Sequence, residues 1–208
     1  VSGTMLGEVA RYSLVRTGGD QEGDSIVVTK GIAIEGTALL ALERAEDLRK
    51  AGVSENTITL SIDLLHSFGI SVITDAEIAC TTTQVHSMHD VTEGGLITGL
   101  REVAAASELG LAIEEGSVPV LPTTLEVCQA LDLDPLGLLA SGALIITLPS
   151  NNVPSLLNNL EKAGIDGWEI GMMMAPEEGL VYIGREGEVE LPQFNRDELA
   201  RYFSCSST

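Results

Sequence analysis

Apolar and polar residues alternate along this chain at two different periods, and the switches between them mark out the elements. "SIVVTKG" is a β-branched run closed by Gly31 and reads as a buried strand. The segment after it, "IEGTALLALERAEDLRKAG", places Leu39, Leu42 and Ala45 at helical spacing with Leu40 beside them. Basic residues and Gly52 close it, so one helix is expected. "SENTITLSIDLLHS" is β-branched, which favours a strand, but its Ser-x-x-Thr opening resembles a helix cap and helix is the preferred reading. "DAEIACTT" reads as a short helix and "QVHSM" as a strand.

Leu96, Leu100 and Val103 then share one helical face, with Gly110 as the expected stop. Next come a strand in "LGLAIEE", a helix in "TTLEVCQAL", a buried strand in "GALIITLPS" and an amphipathic helix in "VPSLLNNLEKAG". Strands are expected in "GWEIGMMM", "GLVYIG" and "EVEL", and a terminal helix in "NRDELARYF". At the other end, "GTMLGEVA" reads as a strand followed by a polar loop. Strands alternate with helices at spacings that permit antiparallel neighbours. The pattern therefore predicts an α/β or α+β layered domain on a mixed sheet.

Composition narrows the function. The hydrophobic fraction of 44% supports a filled core, and with aromatics at 3% that core must be aliphatic. No apolar run reaches the roughly 18 residues of a membrane span. The net charge of −20 opposes nucleic acid and anionic membranes, so neither is an expected partner. It also means that a phosphate ligand must be held by backbone N–H groups and a metal ion. Three unevenly spaced cysteines, Cys80, Cys128 and Cys205, suggest reduced thiols and a cytoplasmic home. Because Val1 stands where Met would, a fragment or a processed product is expected.

The densest chemistry lies in His89-Asp90-Val91-Thr92-Glu93-Gly94-Gly95, between a predicted strand and a predicted helix. Such junctions are where sheet proteins place ligands. Asp90 or Thr92 could cap the helix, and paired glycines let a ligand approach the backbone. A helix N-terminus attracts phosphate, whereas Asp90 and Glu93 would repel it unless a magnesium ion accompanied it. The plainer reading is a capped helix with glycines for close packing. His86 and His89 need not share a face, so a structural zinc is not expected. A second stretch, "TKGIAIEGTALL", brackets a turn with Gly31 and Gly36, but Thr37 stands where a Walker loop requires Lys. Lys30 could face a phosphate and Glu35 could help hold a metal. "WEIGMMMAPEEG" reads as core filling, "DLDPLGLLASGALI" as packing with Ser141 near a cleft, and no nucleophilic triad is evident.

"HDVTEGGLITGLREVA", with "VSGTMLGEVA", "LVRTGGDQEGDSIVVTKGIAIEGTALLA", "GISVITDAEIA" and "DPLGLLASGALIITLP", resembles the AIR synthase-related superfamily, whose HypE-like members are the nearest likeness. The resemblance runs over nearly the whole chain. It implies a three-layer α/β/α, PurM-like C-terminal domain over residues 23–208, with 1–22 a remnant of the last strand and linker of an N-terminal ATP-binding domain. It implies ATP and Mg²⁺ as cofactors, held mostly by that N-terminal half, with Asp90 a possible Mg²⁺ ligand. A small-molecule substrate and a homodimer are implied as well. Asp90, Glu93 and His89 carry over as catalytic candidates. Thr92, Gly94, Gly95, Lys30, Gly31, Glu35, Gly36 and Thr37 carry over as substrate- or phosphate-binding candidates. HypE proper ends in a Pro-Arg-Ile-Cys tail; here the end reads Phe203-Ser-Cys-Ser-Ser-Thr, so Cys205 does not inherit that role. The resemblance implies ATP-dependent activation of an amide-type or other small-molecule oxygen. The alternative is a non-catalytic binding or dimerisation module of the same fold.

Overall fold

Six consecutive buried residues, Asp24–Thr29, form β1 near the middle of the sheet. The computed structural model describes residue 4 and residues 6–205, apart from the side chains of Tyr12 and Cys205. The other strands are β2 (Ser87–Asp90), β3 (Gly110–Glu114), β4 (Leu144–Pro149), β5 (Gly167–Met174), β6 (Leu180–Gly184) and β7 (Gly187–Glu190). Their order is β2-β4-β1-β5-β3-β6-β7. β3 and β6 run parallel and the other adjacent pairs antiparallel, giving the mixed sheet that the spacing predicts. A register shift opposite Ile26/Val27 makes Ile170 the extra residue of a bulge in β5.

The helices are α1 (Ile34–Glu43), α2 (Ala45–Lys50), α3 (Glu55–Ser67), α4 (Ile73–Thr82), α5 (Gly95–Ser107), α6 (Pro122–Leu131), α7 (Val153–Lys162) and α8 (Glu198–Cys205). Alternation along β1 sends Ile26 and Val28 to one face, against Leu96, Leu100 and Val103 of α5. Val27 goes to the other face, against Ala79 of α4 and Leu156 and Leu160 of α7. These are the three layers, helix over sheet over helix. A third core forms away from the sheet, through Leu40, Leu48, Ile58, Val127 and Cys128, with Leu199 and Phe203 of α8 against it. Burial in that core pushes the Cys128 thiol up to about 12, so it behaves as packing rather than as a nucleophile.

Four boundaries differ from the sequence reading. The single helix expected through Gly52 is two, broken at Arg44 (φ −128°, ψ 26°), which lets Leu40 and Leu48 face the same helical core. α5 stops before Gly110, because Glu108 adopts the left-handed conformation and the Leu109 N–H returns to the Ala104 carbonyl. Gly110 instead opens β3, where a Cβ would lie 2.5 Å from the Gly179 carbonyl oxygen. β2 runs to Asp90, two residues beyond the expected strand. The strand expected over "GTMLGEVA" falls partly on residues 1–3 and 5, outside the described residues, and residues 6–10 form no strand. Leu6 and Val9 are exposed there, and among the described residues no strand pairs with this segment. α3 forms as expected: the Ser54 hydroxyl caps it by accepting from the Thr57 N–H at 3.0 Å.

Candidate functional site

β1 and β2 both run antiparallel to β4, which lies between them, so their C-terminal ends share one end of the sheet. The two glycine-bearing turns leave from that end, one into α1 and one into α5. They are joined by the segment Pro135–Ala140. The Gly36 N–H donates to the Leu139 carbonyl (3.0 Å), and the Ala140 N–H donates to the Thr92 carbonyl (3.2 Å). Both Gly36 and Gly95 press against this segment. An added Cβ would lie 2.6 Å from Leu138 Cγ at Gly36 and 2.5 Å from the Leu136 carbonyl at Gly95. Gly94 and Gly95 also have positive φ (78° and 67°), a conformation that L side chains avoid. The glycines are required by packing and backbone shape, which is the plainer of the two readings that the sequence left open.

The N-terminus of α5 nonetheless holds an anion, and the chain provides it. The Gly94 N–H donates to Asp197 Oδ2 at 2.6 Å, while the Leu199 N–H donates to the other oxygen of the same carboxylate at 2.8 Å. Asp197 thus bridges the positive ends of α5 and α8. Beside it opens a cavity of about 490 Å³ whose lining includes Glu93, Gly94, Thr98, Phe194, Arg196 and Asp197. The Gly95 N–H turns back to the Thr92 carbonyl (3.3 Å).

The three residues expected to be catalytic do not converge. His89 and Asp90 are consecutive in β2 and leave opposite faces. His89 reaches α5, with Nε2 2.9 Å from a Glu102 oxygen and Nδ1 3.4 Å from Thr17 Oγ1. Met88, on the Asp90 side, packs into the α4–α7 core. The Asp90 carboxyl is raised by partial burial, against which the charges of His89 and Lys30 act. Thr92 and Glu93 are exposed. His86 goes elsewhere, pairing through Nδ1 with Asp24 Oδ2 at 2.7 Å. Among the described residues no group of three or more His, Cys, Asp or Glu gathers around a potential metal position.

Around the first turn, Lys30 is buried in the left-handed conformation (φ 63°), a strained choice for a residue with a side chain. Its Nζ lies 3.1 Å from Asp75 Oδ2 and donates to the Ser71 carbonyl at 2.6 Å. Asp75 is fully buried, and beyond this ion pair its carboxylate has no hydrogen-bond donor among the described residues. The pair lines a second cavity, of about 610 Å³, with Ser67, Thr74 and Asp166. Gly31 is buried against Leu121, and Glu35 is half-buried in the first turn of α1. Thr37 is fully buried and donates to Thr124 Oγ1 of α6 at 3.0 Å, which ties α1 to α6 and keeps its hydroxyl from any ligand. Sequence reasoning missed Asp75 and Asp197. Asp197 precedes a helix and carries a cap signal, but nothing local announces a partner 103 residues away.

Residues 21–183 match the family model described as AIR synthase related protein, C-terminal domain. The chain belongs to that family. It is 26% identical over 162 residues to a putative hydrogenase expression/formation protein of Methanocaldococcus jannaschii, covering 78% of this chain and 45% of that protein. It is 26% identical over 157 residues to the carbamoyl dehydratase HypE of Cupriavidus necator, covering 76% of this chain and 41% of that one. Escherichia coli HypE, a hydrogenase maturation protein, superposes with a TM-score of 0.74 at 25% identity, over 90% of this chain and 55% of its own. A hydrogenase maturation protein HypE solved in complex with ATP superposes at 0.66 with 21% identity, over 92% of this chain and 57% of its own, and shows the same fold. The chain therefore spans about half the length of these relatives. Among the described residues no helix is long and apolar enough to cross a membrane.

Proposed function

We propose that this chain forms the substrate-facing half of an ATP-dependent, HypE-like enzyme that phosphorylates or otherwise activates an amide-type or other small-molecule oxygen. The observation that carries the reading is the Gly94 N–H delivered at 2.6 Å to a carboxylate oxygen at the start of α5. A site that fits a carboxylate oxygen there, at the positive end of a thirteen-residue helix, has the chemistry to hold a phosphate oxygen. Bound ATP–Mg²⁺ would supply the phosphoryl group, and the N-terminal half of the full-length enzyme would hold most of it.

In this reading a phosphate oxygen takes the place of the Asp197 carboxylate at the Gly94 N–H, and Thr92 and Gly95 shape the turn that presents it. Asp90 and Glu93 flank it, fit to carry a Mg²⁺ ion or to accept a proton from the substrate. Lys30, although paired with Asp75, is near enough for its charge to favour the ionised form of Asp90. Gly31, Glu35, Gly36 and Thr37 shape the neighbouring turn. His89 fixes the end of β2 to α5 through Glu102 and so sets the direction in which Asp90 points. Such a site works through positioning and charge neutralisation, without a covalent nucleophile. The full-length enzyme would be a cytoplasmic homodimer.

A second reading, a non-catalytic module of the same fold, draws on Asp197, which occupies the anion position with the chain's own carboxylate. Steady-state ATP turnover by the full-length protein separates the two. The enzyme reading expects turnover that Asp90→Ala reduces by roughly a hundredfold or more, the scale of a lost acid–base group. Turnover unchanged by the substitution removes the turn from the mechanism, and no turnover in the unsubstituted protein favours the module.

A further inference from the structure

The sheet is covered unevenly. On the face that packs α4 and α7, helices cover β2, β4 and β1 and reach the start of β5. Beyond that point β5, β3 and β6 have no covering layer among the described residues. Register identifies what they present. Leu111, Ile113 and Tyr182 point to the α5 side, so Ala112, Val181 and Ile183 point to the open side. One row across the strands reads Met172–Ala112–Val181–Glu190, and the next reads Glu114–Ile183–Glu188. The centre of the face is apolar, Met172 being 40% exposed, and a shallow groove of about 450 Å³ runs over Ala112, Met172, Met174 and Ile183. Glu114, Glu169 and Glu188 surround it, all exposed, while Glu190 at the sheet edge turns to Arg101 of α5 at 3.7 Å.

We propose that this face is the docking site for an amphipathic, basic helix of a separate partner protein. Geometry supports a helix: from β5 to β6 is two strand spacings, about 10 Å, which matches the diameter of one α-helix. The docked helix would complete the layer that α4 and α7 begin. Charge supports a basic one. Lysines or arginines flanking its apolar stripe would meet the three glutamates, in a chain whose net charge is −20. The same glutamates argue against a second copy, since an isologous contact would press the acidic ring against itself. Two methionines at the centre supply a deformable apolar surface suited to side chains of varied shape. The face lies toward the sheet edge opposite β2, so the proposal does not depend on the function assigned to the turn at 90–95.

The test uses the 208-residue chain with ¹³C-labelled methionine methyls and, as probe, a synthetic Leu/Lys amphipathic helical peptide. The expected result is saturable shifts of Met172 and Met174 while Met88, on β2, stays in place. Binding should weaken as salt rises. The pair Glu169→Lys and Glu188→Lys, both at exposed positions, should weaken it at least tenfold with the Met88 signal unmoved. Equal binding of a Leu/Glu peptide, or shifts that spare Met172 and Met174, would overturn the proposal. So would self-association in sedimentation that Met172→Glu abolishes, because the occupant would then be a second copy.

Discussion

Replacing Asp75 with alanine would strand the Lys30 ammonium in a site where the side chain is 7% exposed, with the Ser71 carbonyl as its remaining polar contact. Removing one member of a buried ion pair typically costs about 3–5 kcal/mol, most of it the desolvation penalty of the abandoned charge. For a domain of this size each kcal/mol lowers Tm by about 2–4 °C, so Asp75→Ala should melt roughly 6–20 °C below the parent. Lys30→Met should cost a similar amount, since Asp75 would then lose the ammonium at 3.1 Å and have no other hydrogen-bond donor among the described residues. The double variant Lys30→Met/Asp75→Leu leaves neither charge buried and should recover most of the loss. The assay is urea unfolding of the four proteins at neutral pH, with the m-value checked for constancy. A double variant whose loss equals the sum of the two single losses would refute the reasoning, because the pair would then be two independent contacts.

Three further outcomes follow from other parts of the fold. Gly95→Ala, where the new Cβ would meet the Leu136 carbonyl, should destabilise by several kcal/mol. Gly23→Ala, also at positive φ but in open space, should cost about 1–2 kcal/mol; similar urea midpoints for the two would contradict this. Asp197→Ala should lose about 1–3 kcal/mol and expose the Gly94 amide to faster hydrogen exchange, which NMR would detect; unchanged exchange there would mean that the carboxylate is not its protecting partner. Burial, reinforced by the Asp24 charge, raises the Asp20 carboxyl despite its hydrogen bond from Thr147. The folded state therefore favours the protonated form, and that contribution is lost as pH rises through the folded value. Asp20→Asn should accordingly raise the urea midpoint at pH 7 and leave it nearly unchanged near pH 3; a lower midpoint at pH 7 would reverse the sign.

The sequence was informative wherever the determinant was local. A β-branched run located β1, apolar residues at helical spacing located α7, and the cap signal at Ser54 decided the otherwise ambiguous α3. The close packing at Gly94 and Gly95 was one of the readings that the pair itself suggested, whereas their positive φ was not. Contacts between distant segments were not visible: the Asp197 carboxylate on Gly94, the Asp75 partner of Lys30 and the Leu139 carbonyl on Gly36 each join turns that no spacing rule connects. His89 shows the same limit in another form. Its place beside Asp90 suggested a shared site, and only its inclusion in a strand separates the two side chains.

Pro135–Ala140 holds one turn by the Leu139 carbonyl and the other by the Ala140 N–H, from adjacent residues of a single short stretch. The two loops are thus yoked. Displacing the Thr92 carbonyl or the Gly36 amide would in either case break a hydrogen bond to one of two residues that are neighbours in sequence.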